Sequence, residues 1–150
     1  MAKRTGHHKR KYSVINERKY IGDSSKIMAR SSWERIFMIW CDKNPSVLKW
    51  SSETIVVPYI SPLDNKPHRY YVDFFVEYVE AKTGAIIKKL IEIKPRAQRL
   101  EPKNKGGKSY RAAVETYVVN QAKWKAAEAY AKSLGMTFVV LDEYDLGIVQ

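Results

Sequence analysis

Tyr70-Tyr71-Val72-Asp73-Phe74-Phe75-Val76-Glu77-Tyr78-Val79 is followed, after a short turn, by Ala85-Ile86-Ile87-Lys88-Lys89-Leu90-Ile91-Glu92-Ile93-Lys94-Pro95. β-Branched and aromatic residues fill both runs, which predicts two strands over 70–79 and 85–93. Lys82-Thr83-Gly84 between them suits a hairpin link. Strand side chains alternate faces, so Glu92 and Lys94 point one way while Ile91 and Ile93 point the other. Pro95 ends the second strand and places Lys94 at a sheet end. Asp73 lies among tyrosine, valine and phenylalanine, where an unpaired carboxylate is costly. Antiparallel pairing of the two runs brings Asp73 beside Glu92 and Lys94. Two carboxylates and one ammonium then share a small patch.

That patch has a definite chemistry. Two carboxylates held together repel unless a divalent cation sits between them. Mg²⁺ favours such an all-oxygen surrounding and completes its shell with water; Mn²⁺ is the alternative ion. A divalent ion makes its bound water a better nucleophile and neutralises charge developing on a phosphate. A lysine beside the ion orients the water or stabilises the transition state. The plain alternative is a solvated Glu-x-Lys pair on an exposed strand face.

Outward from this core, Trp33, Ile36, Phe37, Trp40 and Cys41 recur at helical spacing and predict an amphipathic helix over 31–43. Ser31 and Glu34 have capping-box spacing at its start, Asn44-Pro45 ends it, and Cys41 is expected as a core thiol. Thr54 to Tyr59 reads as a strand, and Ser61 to Pro67 as a turn. A second long helix is expected over 110–134, closed by Gly135, with a buried strand over 136–141. The order α, β, β, β, α, β predicts an α/β fold with a mixed central sheet flanked by helices.

Charge is the other signal. The chain has 150 residues, one cysteine, a formal charge of +11 and a pI near 9.7. One cysteine excludes an intrachain disulfide and a cysteine-rich zinc site. No apolar run is long enough to cross a membrane. The basic start, MAKRTGHHKRKY, lacks the apolar segment of a secretory signal, so the protein is not expected to be secreted. Residues 1–30 hold nine lysines and arginines against Glu17 and Asp23, without apolar periodicity. They predict a basic arm over 1–26, flexible or lying over the body, ahead of one domain over 27–150. Lys94 to Arg111 holds seven more against Glu101. Clusters of this kind predict a polyanionic partner, most simply nucleic acid. Lys9, Arg10, Lys11, Lys103, Lys105, Lys108 and Arg111 are the expected backbone contacts. His7, His8 and His68 show no ligand spacing, and Glu53 reads as a surface charge.

On a helical wheel Gln121 and Lys125 fall about 20° to either side of Val114, inside the apolar stripe of the second helix. Polar groups there either find partners or face a site, unless the helix is rotated so that both reach solvent. Glu34 lies at the edge of the first helix's apolar face, either as capping partner of Ser31 or as a further site acid.

Asp73, an 18-residue gap and Glu92-Ile93-Lys94 resemble the PD-(D/E)XK nuclease motif, with Val72 where the motif carries proline. The resemblance is closer to the head completion nucleases of T4-like phages, and more remote to TnsA-type transposon endonucleases. Arg30-Ser31-Ser32-Trp33-Glu34, Val47 to Trp50, Glu53 to Pro58, Arg69 to Phe75 and Ile91 to Pro95 carry it. It implies a restriction-endonuclease-like core and a metal-dependent DNA endonuclease that acts on packaged DNA ends during head maturation. Asp73, Glu92 and the Ile93 carbonyl would hold Mg²⁺, with Lys94 at the reacting phosphate and Glu34 and Gln121 as further site residues. The resemblance narrows the nucleic acid to double-stranded DNA. Phage head or portal-neck proteins would be partners, with the virion or host cytoplasm as location and the oligomeric state open. The rival is a basic structural protein of the head or neck that grips DNA without cutting it.

Overall fold

The computed structural model describes residues 9–148. In chain order these form β1 (Arg10–Lys11), β2 (Met28–Ala29), α1 (Ser32–Lys43), β3 (Val47–Ser52), β4 (Val56–Ile60), β5 (Pro67–Tyr71), β6 (Phe74–Val79), β7 (Ile86–Ile93), α2 (Arg96–Arg99), α3 (Gly107–Ser133) and β8 (Thr137–Leu141). The central sheet has the order β3-β6-β7-β8. β3, β6 and β7 are antiparallel, and β8 joins parallel to β7 after the α3 crossover. This is the mixed α/β sheet that the sequence predicts. Two small antiparallel ribbons, β1–β2 and β4–β5, flank it.

Alternation along the central strands builds two cores. Phe74, Val76, Ile91 and Ile93 pack on one face against Phe37, Met38 and Cys41 of α1, with Tyr12, Ile27 and Trp50. Leu90 on the other face packs against Val57, Tyr70 and Val72 and against Ala127 and Ala131 of α3. Among the described residues no helix is long and apolar enough to cross a membrane.

Three sequence expectations change. The expected strand over 70–79 breaks at Val72-Asp73. The Val72 N–H bonds the Ile55 carbonyl, whereas the Asp73 carbonyl accepts the Glu53 N–H, each at 3.0 Å. The chain thus leaves the β4–β5 ribbon and enters the central sheet between these two residues. β3 was not expected, because a register shift between Val47 and Lys49 interrupts its alternation. The buried face of α1 carries Glu34, Phe37, Met38, Cys41 and Asp42, one position on from the predicted stripe. Ile36 and Trp40 are therefore exposed.

The N-terminal segment lies over the body and goes further, contributing to its core. Residues 9–27 do not stand apart from the body: Tyr12 and Ile27 are buried, and Val14 and Tyr20 pack on the same core. The cause is Asp42, which is fully buried. Its carboxylate accepts the Tyr12 hydroxyl at 2.8 Å and the Ile15 and Asn16 N–H groups at 2.7 and 2.8 Å. Its carbonyl accepts the Asn16 side-chain amide and the Lys19 ammonium. His7 and His8 lie outside the described residues. Asp42→Asn would turn an amide N–H toward donors that have no other acceptor, so it should destabilise the protein by about 2–4 kcal/mol. The midpoint of urea unfolding measures this, and an unchanged midpoint would show that Asp42 does not hold the segment.

Candidate active site

Pairing of Phe74 with Ile91 fixes the register of β6 and β7 and sets Asp73 across from Glu92 on the α3 face. Asp73 Oδ2 accepts the Ile93 N–H at 2.8 Å. Glu92 Oε2 accepts the Tyr70 hydroxyl at 2.5 Å, and Lys94 Nζ lies 3.8 Å from Glu92 Oε1. The Lys94 N–H bonds the Leu141 carbonyl at 3.0 Å, so β8 fixes the backbone that carries the lysine. The two carboxyl groups are close enough to share a hydrogen bond.

Burial dominates the electrostatics of this pair. It raises Asp73 above the usual aspartate range, against the opposing pull of the Ile93 N–H and of Lys94. Burial and then the Asp73 charge push Glu92 up to about 8. The same burial, with the Glu92 charge, raises the Tyr70 hydroxyl, which stays a proton donor. Glu34 joins from α1. Its N–H donates to Ser31 Oγ at 3.1 Å, and the Ser31 hydroxyl donates to Glu34 Oε2 at 3.2 Å. It is nevertheless buried and pushed up to about 7, by burial first and by Asp73 second. The capping contact and a place facing Asp73 therefore coexist.

A cavity of about 560 Å³ opens over the pair, and Glu34, Asp73, Glu92, Ile93 and Lys94 all line it. Gln121 does not: it and Lys125 are exposed. α3 turns its Asn120, Ala127 and Ala131 edge inward, rotating the helix away from the wheel reading. The residue that reaches the cavity from α3 is Lys123, with its Nζ 5.6 Å from the Tyr70 ring centroid and 5.9 Å from that of Tyr59. Sequence reading missed Lys123 because the wheel was centred on Val114 instead of the alanine edge. It also did not anticipate Arg69 in the cavity or the Tyr70 hydroxyl on Glu92. Glu53 is not a free surface charge: it lines the cavity and is gripped by Arg30, at 2.8 and 3.1 Å.

Of the expected backbone contacts, Lys9 and Arg10 line a second cleft that continues from this cavity. Lys11, Lys103, Lys105, Lys108 and Arg111 are exposed and line neither. α2, which follows Lys94, is tied down through Asp142, whose Oδ2 accepts Arg96 and Arg99, each at 2.9 Å. Burial works against the Asp142 charge, but Arg96 and two backbone N–H groups outweigh it and hold the group at about 2.

Among the described residues no three His, Cys, Asp or Glu side chains cluster closely enough to hold a metal. The facing pair nevertheless fits Mg²⁺, which is usually bound by one or two carboxylates and completed by water. Buried acids that repel and lack enough donors have the chemistry of a site built for a cation.

The model of the TnsA-like endonuclease N terminal family matches residues 44–143, two thirds of the chain. The chain belongs to the TnsA-like endonuclease family. The head completion nuclease of Enterobacteria phage T4 is 37% identical over 139 residues, which cover 89% of this chain and 89% of that protein. No solved structure gives a significant match. Both matches support a nuclease role and the restriction-endonuclease-like fold. The TnsA-like span holds Asp73, Glu92, Lys94 and Lys123, whereas Glu34 and the N-terminal segment lie before it.

Glu92 keeps its proton in the fold up to about 8 but releases it near 4.5 when unfolded. Between those values the native state binds more protons, so metal-free stability should fall as pH rises through that window. At about 1.4 kcal/mol per pKa unit, the loss from about pH 5 to about pH 8 is on the order of a few kcal/mol. Glu92→Gln should remove much of this slope. Urea unfolding in EDTA at both pH values measures it, and equal slopes in parent and variant would refute the strained pair.

Proposed function

We propose that this chain is a Mg²⁺-dependent DNA endonuclease that hydrolyses phosphodiester bonds in double-stranded DNA with little sequence preference. The observation that carries the reading is the half-buried Asp73 facing the buried Glu92 where β6 begins, beside Lys94. The name of the T4 relative, head completion nuclease, supports a place in phage head completion. Our reading extends this to action on DNA ends during packaging, with head or portal-neck proteins as partners and the virion or host cytoplasm as location.

Asp73, Glu92 and the Ile93 carbonyl would hold Mg²⁺, or Mn²⁺ in its place, and the bound ion supplies charge neutralisation at the phosphate and a more acidic water. Tyr70 donates to Glu92 and fixes its orientation. The Ile93 N–H does the same for Asp73. Lys94 places a positive charge at the mouth of the pair, where charge develops on the phosphate oxygens. Lys123 adds a second from the facing helix. Glu34, titrating near 7, takes the proton of the attacking water. Lys9, Arg10 and Lys11, with Lys103, Lys105, Lys108 and Arg111, hold phosphates on either side. Phosphate contacts carry no sequence information, and no groove-reading element accompanies them.

Supercoiled plasmid should be nicked and linearised in Mg²⁺ and stay intact in EDTA; DNA binding without cleavage in Mg²⁺ would favour a structural DNA-gripping role. Lys94→Ala should keep Mg²⁺ binding and lose about two orders of magnitude in cleavage, the scale of one electrostatic group. Nicking close to the parent rate would leave Lys94 a surface charge.

Asp73→Asn keeps the shape and removes one of two repelling charges. In EDTA its melt should equal the parent's or exceed it by roughly 0–2 kcal/mol of stability. Mg²⁺ should stabilise the parent by mass action and the variant much less. A drop in the EDTA melt, with equal Mg²⁺ responses, would end the metal-site reading.

A further inference from the structure

Beside the catalytic cavity lies a larger cleft of about 1000 Å³. The two share Arg30, Glu34, Ile93 and Lys94 as lining residues, so the cleft adjoins the cavity at these side chains. One wall is Lys9 and Arg10 with the start of α1, including Trp33 and Arg35; the other is Lys94, Pro95 and Gln98 of α2. Lys9, Arg10, Arg30, Arg35 and Lys94 face a single acid, Glu34, at the boundary of the two spaces.

Both walls are fixed in advance. Arg10 pairs with Ala29, the Arg35 guanidinium sits 5.8 Å over the Tyr12 ring, and Tyr12 is held by Asp42. The opposite wall is held by Arg96 and Arg99 on Asp142. A track of cations that follows a phosphate backbone, with an indole on which a base can stack, is the chemistry of single-stranded nucleic-acid binding. The volume is enough for a short stretch of one strand.

We infer that the cleft lined by Lys9, Arg10, Arg30, Trp33 and Arg35 holds a single-stranded DNA extension, so the preferred substrate is a duplex end that carries an unpaired strand. This rests on the nuclease reading for its use, because the strand leads into the catalytic cavity. Its binding chemistry stands without that reading.

The test is fluorescence anisotropy in EDTA, with a blunt labelled duplex and the same duplex carrying a short oligothymidine extension of either polarity. The parent should bind an extended duplex about tenfold more tightly than the blunt one, within the range of one stacked base. Trp33→Ala should erase most of that advantage, and Trp33→Phe should keep it. Because Trp33 also packs partly on the core, Arg35→Glu and Lys9→Glu serve as variants at exposed positions. Each should weaken binding of the extended duplex more than of the blunt one, and melts confirm that they are folded. Equal parent affinity for blunt and extended duplexes overturns the inference, as does a preference that all these variants leave intact. A parallel Mg²⁺ cleavage assay separates the two readings. Cleavage without any preference for extensions defeats this inference alone, whereas a preference without cleavage upholds it and defeats the nuclease reading alone.

Discussion

Asp73 and Glu92 face each other at the seam where the β4–β5 ribbon meets the central sheet, with α3 closing over them. Taking two carboxylates out of water beside one another is among the less favourable arrangements a small fold can contain. The surroundings answer it only in part. Tyr70 and the Ile93 backbone supply one donor each, and Lys94 stands off at 3.8 Å. The fold tolerates the residue of that cost because both sheet faces are covered by apolar cores. Local strain of this kind persists where the surrounding packing over-determines the geometry.

The other buried acids make the contrast. Asp42 meets three donors on its carboxylate and fastens the N-terminal segment. Asp142 meets two arginines and backbone N–H groups, and its affinity for a proton falls. These are satisfied groups that hold chain to chain. Asp73, Glu92 and Glu34 shift the other way, toward holding protons, because burial and mutual repulsion outweigh their donors. The contrast in direction between Asp142 and the cavity acids follows the number of donors each one meets.

The chemistry of the pair was legible because period-two alternation and one hairpin determine which residues face each other. That was enough to bring Asp73, Glu92 and Lys94 together, whereas the Ile93 carbonyl entered only through the family resemblance. α1 was legible in extent but not in rotation, since its buried face includes Glu34 and Asp42, which a hydropathy reading assigns to solvent. The same failure displaced Gln121. α3 presents small alanines inward, and a wheel weighted toward valine and tyrosine turns it so that Lys123 is overlooked. The N-terminal segment was read as an arm because its attachment is polar, through Asp42, and leaves no apolar period. Buried polar contacts between distant residues have no local signature, and there sequence reading ends.

The bond between the Lys94 N–H and the Leu141 carbonyl also bears on time. β8 reaches its parallel partner only after the whole α3 crossover, so this pairing closes a long loop and is entropically late. On a ribosome the acids of β6 and β7 emerge well before residue 141 does, when the lysine has no fixed backbone. The nascent chain therefore carries an unfinished centre while about the next third of it is made. Pairing of the last strand is what completes the backbone around Asp73, Glu92 and Lys94.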